Sequence, residues 1–139
     1  MTASLTAHAV RTIGDDACWE LLRSESLGRL AVVAEDGVDI FPVNYLVNRG
    51  TILFRSAPGT KLADIVHNPI VAFEVDGIDD RHRWSVVVRG VARRLDADDE
   101  IESSGVLGLE TLTVTTKFNY VQITPRVITG RLLGREGIE

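Results

Sequence analysis

Cysteine is nearly absent from this chain. Cys18 is the one cysteine in 139 residues, which excludes an intrachain disulfide. Histidine is almost as scarce. His8, His67 and His82 are the only three, and none stands with Cys, Asp or Glu at a metal-ligand spacing. No apolar run approaches the length that spans a bilayer, and MTASLTAHAVRTIGDD at the N-terminus lacks a continuous apolar signal core. A soluble, cytoplasmic protein is therefore the expectation. The motifs G-x-S-x-G, G-x-G-x-x-G, H-E-x-x-H and the P-loop are all missing. A lone Ser or Cys nucleophile has no base to pair with, and no catalytic residue is identified. Any chemistry then has to come from a cofactor. The net charge of −5 argues against a general nucleic-acid binder, which needs a basic surface.

What is present is ordinary for a globular protein: 45% hydrophobic and 25% charged residues. The length predicts one domain over residues 1–139 with a single core. Residues 1–14 read as an arm and 134–139 as a loose tail. Asp15 and Asp16 are candidate N-caps of a helix to about Ser24, with Cys18, Leu21 and Leu22 as its buried stripe. Trp19 reads as packing, and Gly28 as the helix end. A strand at 29–34 and one at 38–47 flank Asp36-Gly37, a two-residue hairpin signal. Pro42 within the second marks an edge or a bulge.

Asn48-Arg49-Gly50 turns the chain into a strand at 51–56. A short helix at 60–67 carries Leu62, Ile65 and Val66 inward, and Asn68-Pro69 stops it. A strand at 70–76, a charged loop at 77–83 and a long strand at 84–95 follow. In the long strand, Val86, Val88, Gly90 and Ala92 share one face, and Ser85, Val87, Arg89 and Val91 the other. Gly90 marks a bend or a close backbone approach. Residues 96–104 are acidic and start a further helix, 105–117 are ambiguous, and two strands at 118–124 and 127–133 flank Pro125. The pattern is mainly β with short helices, a closed antiparallel barrel rather than a sandwich. Apolar residues on both faces of the 84–95 strand predict a dimer, because one face fills the barrel and the other needs cover.

One stretch, PVNYLVNRGTILFRSAPGTKL at 42–62, combines groups that suit a phosphate. Arg55 supplies a planar fork of donors, Lys61 a point charge, and Ser56 and Thr60 hydroxyls. A helix starting near Thr60 adds free amides and a positive dipole end. From spacing alone, solvated charges, turn chemistry and an N-cap account for the same residues more simply.

FPVNY at 41–45 followed by FRSAPGTKL at 54–62 resembles the pyridoxamine 5′-phosphate oxidase-like flavoproteins of the split-barrel fold, in the small branch that includes nitroimidazole-resistance proteins. WSVVVRG at 84–90, ITPRVITGRLL at 123–133 and LGRLAVV at 27–33 are similar to that branch and fall in its order. The resemblance implies an antiparallel split β-barrel that binds FMN at a homodimer interface and acts as an oxidoreductase on a small electrophile. It implies that Pro42, Val43, Asn44 and Tyr45 meet the ring edge through the backbone. Arg55, Ser56, Lys61 and Leu62 would surround the phosphate. Trp84, Ser85 and Arg89 would border the cleft, from the partner subunit or their own, although Trp84 reads nearly as well as a core aromatic. Outside the resemblance, Asn44 reads as a turn or ladder side chain and Tyr45 as a cross-strand partner. Two departures bear on the substrate: Arg83 stands where the family usually has Gly, and 112–120 lacks the family's usual Trp. Deazaflavin and haem are the alternative cofactors, and a barrel that binds without turnover is the alternative function.

Overall fold

The computed structural model describes residues 10–56, 60–96, 101 and 119–134, the side chains at 60 and 61 excepted. The strands are β1 (Val10–Ile13), β2 (Leu27–Ala34), β3 (Gly37–Asn48), β4 (Thr51–Ser56), β5 (Ile70–Ile78), β6 (His82–Arg94) and β7 (Asn119–Gly134). Helix α1 spans Asp15–Ser24 and α2 spans Thr60–His67. Every pairing is antiparallel, in the order β1-β7-β4-β3-β2-β5-β6. β6 also pairs with β7 along its whole length, from His82–Gly134 to Arg94–Val121. That last ladder closes six strands into a barrel and leaves β1 as an added strand on β7. The expected mainly-β split barrel is the observed architecture.

The interior follows the period-two pattern of each strand. Leu30 and Val32, Val43 and Tyr45, Ile52 and Phe54, Val71, Phe73 and Val75, then Trp84, Val86 and Val88 all join one core with Val121 and Ile123. Cys18 and Leu22 of α1 belong to it too. Tyr45 ties the helix down: its hydroxyl donates to Leu22 O at 2.5 Å, and its ring meets Phe73 edge-on at 4.9 Å. Burial, with the Glu25 charge second, pushes the Tyr45 phenol far above its ordinary value.

Several local expectations shift. Gly14, not Asp15 or Asp16, is the N-cap of α1; the two aspartates sit in the first turn, where the helix dipole favours them. The helix ends at Ser24 with Glu25 as its C-cap, so Gly28 does not end it. Gly28 lies inside β2 because a Cβ there would fall 2.3 Å from the ring of Phe73. The first hairpin is centred on Glu35-Asp36, one residue early, with Gly37 opening β3 at φ 150°. Arg49 and Gly50 form the next turn with φ of 51° and 72°, the positive values that a two-residue hairpin turn requires. In α2, Ile65 is buried and Leu62 half-buried, but Val66 is exposed rather than inward. β5 and β6 run further into 77–83 than expected, leaving a short turn. There Asp79 Oδ1 accepts from Arg81 N at 2.9 Å and His82 N at 2.7 Å.

Pro42 and Pro125, the two prolines that fall within strands among the described residues, are accommodated by strand geometry. Tyr45 N donates to Ser26 O on the β2 side; alternation therefore turns the Pro42 nitrogen away from β2, on a stretch that β4 does not reach. Pro125 does not split the last strand in two. β4 leaves β7 at Ile123 and β1 joins it only at Gly130, so the missing donor falls where β7 has one partner. The register shift between Arg89 and Gly90 lies opposite. A Cβ on Gly90 would sit 2.3 Å from Thr124 O, the close backbone approach expected there. In the acidic 96–104 segment, Ile101 is helical; the rest of it beyond Asp96, together with the ambiguous 105–117 stretch and Phe118, lies outside the described residues.

Candidate functional site

The phosphate-type residues sit where β4 runs out and α2 begins. Tyr45 pairs with Phe54, and continuing that antiparallel register by one step sets Asn44 beside Arg55. On the other edge, Arg55 pairs with Tyr120 and Ser56 with Asn119. Alternation puts Arg55 on the β4 face that carries the fully buried Leu53, and Ser56 on the face of Ile52 and Phe54. Ser56 is the buried polar residue of the described set. The Arg55 Nε is buried without a hydrogen bond, although the residue as a whole is partnered. Helix α2 has no acidic residue in its first turn, so no carboxylate competes for its free amides. Leu62 is half-buried against the core, and the Lys61 side chain lies outside the described set.

On β3, the side chains of Val43 and Tyr45 point inward and are buried, while Pro42 is exposed and Asn44 half-buried. Any part that Val43 and Tyr45 play at a ligand therefore falls to their backbone. Trp84 lies in the core, packed so closely against Gly77 that a Cβ there would come within 2.7 Å of its indole. Ser85 and Arg89 face outward on β6. In the order β3-β2-β5-β6 they are three strands from Asn44, about 14 Å at the usual strand spacing. Within one protomer the register thus sets Asn44 beside Arg55, with α2 opening at Thr60 further along the chain, and leaves Ser85 and Arg89 apart. The register also brings Tyr120 and Gln122 of β7 to the Arg55 corner, where Gln122 accepts from Arg93 at 3.2 Å. Sequence reading gave these two no role; the cue available was only their place in a strand whose pairing partner was unknown.

Among the described residues, no three His, Cys, Asp or Glu side chains are grouped to hold a metal. Burial, then the Asp15 charge, pushes the Cys18 thiol above its ordinary value, which disfavours a thiolate. No described helix is long and apolar enough to cross a membrane.

The pyridoxamine 5′-phosphate oxidase family model matches residues 14–132. The chain belongs to that family. A crystal structure from Corynebacterium glutamicum, provisionally named a pyridoxamine 5′-phosphate oxidase, is 42% identical, with a TM-score of 0.82 over 90% of this chain and 98% of the other. An FAD-binding protein of Mycobacterium smegmatis is 38% identical, with a TM-score of 0.76 over 89% and 98%. A Bacteroides thetaiotaomicron protein provisionally named a 5-nitroimidazole antibiotic resistance protein shares the fold at 14% identity, with a TM-score of 0.75 over 90% and 89%. The branch expected from FPVNY, FRSAPGTKL and WSVVVRG is thus represented among its structural neighbours.

Proposed function

We propose that the protein binds a flavin nucleotide and works, as a homodimer, as a flavin-dependent oxidoreductase on a small electrophile. What supports this is the end of β4, where the register carried one step on sets Asn44 beside Arg55, and α2, free of acidic residues in its first turn, opens at Thr60. This donor set fits a phosphate: a guanidinium forks onto two oxygens, and helix amides take a third. A bound flavin supplies hydride or single-electron transfer at its ring.

The chain's own residues bind and orient. Arg55 and the α2 amides fix the phosphate, with Lys61 as a second cation. The backbone of Pro42–Tyr45 lies along the ring edge. Ser85 and Arg89, distant within one protomer, reach the cleft from the partner. FMN is the cofactor proposed first. FAD is the second reading, favoured by the 38%-identical relative described as FAD-binding.

The experiment is the visible spectrum of the purified protein, followed by titration with FMN, FAD and riboflavin. Flavin bands and tight binding of a phosphorylated flavin support the proposal. A Soret band points to haem, and binding of a deazaflavin alone replaces the cofactor. Bound flavin that no acceptor reoxidises faster than free reduced flavin makes the protein a binding module.

A further inference from the structure

The outer face of the barrel across β3, β2, β5, β6 and β7 carries a run of exposed apolar side chains among the described residues. Val38 and Ile40 are each 66% exposed, Ile70 and Val127 each 49%, and Val33 40%. Five strands at about 4.8 Å spacing make a face roughly 20 Å wide, the scale on which a standard interface buries ~800 Å² per partner.

In the middle of this face is a charged cluster. Arg29 Nη1 donates to Glu74 Oε1 at 3.0 Å and to Asp76 Oδ2 at 2.8 Å. Beside it lies an open recess of about 330 Å³ bordered by Ala31, Ile40 and Ala72. Around Glu74, β2 contributes Arg29, β5 contributes Asp76, and β6 sets Val87 directly opposite, flanked by Ser85 and Arg89. Both signs of charge therefore occur on one face, the condition under which a two-fold pairing of the face with itself is self-complementary.

We propose that a second copy of this chain covers the face and that its docking binds protons at the Glu74–Asp76 pair, so that self-association strengthens as pH falls. The proposal rests on the homodimer reading above and adds its regulation. The hydrogen-bonded trio of Arg29, Glu74 and Asp76 holds two carboxylates and one guanidinium, a net charge of −1; Arg89, the further cation on this face, is the residue that reaches the partner's cleft in the reading above. Water screens that excess in the single chain, where the Glu74 and Asp76 side chains are still 32% and 46% exposed. Covering the face removes the screening, and the cheapest neutral arrangement is one proton shared between the carboxylates while Arg29 keeps its charge. The tendency is already present before docking: burial first, then the hydrogen bond with Asp76, raise the Glu74 carboxyl above its ordinary value, against the pull of Arg29. A raised carboxyl binds its proton more tightly in the covered state. The linkage therefore favours the dimer on the acid side and is lost as pH rises through the covered-state value. Two clusters per dimer give at most two protons.

The test is sedimentation velocity between pH 5.5 and 8 on the wild type and Glu74→Gln, which mimics the protonated acid. The expected result is a wild-type dissociation constant at least tenfold lower at pH 5.5 than at pH 8. Glu74→Gln should associate with a nearly flat pH profile, and circular dichroism should show it folded. Self-association that ignores pH or weakens on acidification, or a Glu74→Gln profile as steep as the wild type, overturns the proton linkage and leaves the dimer standing. A monomer at every pH at tens of micromolar overturns the dimer reading and the linkage with it, and assigns the face to another partner.

Discussion

Replacing Gly90 with alanine tests the way the barrel closes. The new Cβ would lie 2.3 Å from Thr124 O and 3.0 Å from Pro125 Cα and the Thr124 carbonyl carbon. All three obstacles are backbone atoms of β7, so no rotamer change relieves the contact. Restoring a normal approach of about 3 Å requires the β6–β7 ladder to open locally by roughly 0.7 Å. Overpacking of this kind costs about 1–3 kcal/mol. Against it stands a gain of about 0.4–1 kcal/mol from the stiffer unfolded chain, leaving a net loss of about 1–2 kcal/mol. With a urea slope of about 1–3 kcal/mol per molar, the unfolding midpoint should drop by roughly 0.5–1 M with the slope unchanged. Gly14→Ala, where nothing lies within 4 Å of the added carbon, is the steric control: losing glycine at the N-cap of α1 costs about 0.5–1 kcal/mol, the stiffer unfolded chain offsets about 0.4–1 kcal/mol, and a few tenths should remain. If Gly90→Ala is as stable as the control, the register shift opposite Pro125 is not what joins β6 to β7.

Tyr45→Phe removes the hydroxyl that donates to Leu22 O and leaves that carbonyl buried without it; thermal or urea unfolding should show a loss of about 1–2 kcal/mol. Asp79 is held below its ordinary carboxylate value by the backbone amides of Arg81 and His82. The stability it contributes is therefore present above about pH 3.8 and lost as pH falls through the depressed value. Asp79→Ala should accordingly melt below the wild type at pH 6 and approach it near pH 3. Arg83, exposed on β6 on the same face as Ser85, would add positive charge beside the cleft proposed for the flavin. Arg83→Gly should slow reoxidation of reduced cofactor by anionic acceptors more than by neutral quinones or nitroaromatics in anaerobic stopped-flow, and an equal effect on both removes Arg83 from acceptor choice.

The strands and helices were largely legible because their signals are local. The helices at 15–24 and 60–67 and the strand at 51–56 fall where periodicity and turn residues put them. The alternation in 84–95 separates the buried Val86 and Val88 from Val87 and Arg89 as expected. What was not legible depends on neighbours distant in sequence. Pro125 looks like a break until β4 and β1 are seen to leave β7 half-unpaired at that point. Gly28 looks like a helix end until Phe73 is placed against it. The Arg29–Glu74–Asp76 cluster joins residues 45 and 47 positions apart, and no spacing rule finds it. The Arg55 corner was readable as a set of phosphate donors, but its membership was not. Pairing of β4 with β7 adds Tyr120 and Gln122, and strand alternation sends Ser56 to the face of Ile52 and Phe54.

The central claim is that the corner at Arg55 holds a flavin phosphate, and ligand choice in an Arg55→Ala variant tests it most directly. Hydrogen bonds to a charged group contribute about 1.5–3 kcal/mol. Fluorescence-quench titration should therefore show FMN binding weakened about tenfold or more. Riboflavin, which has the same ring and no phosphate, should bind the variant nearly as it binds the wild type. Equal losses for FMN and riboflavin, or no loss for either, would contradict the assignment.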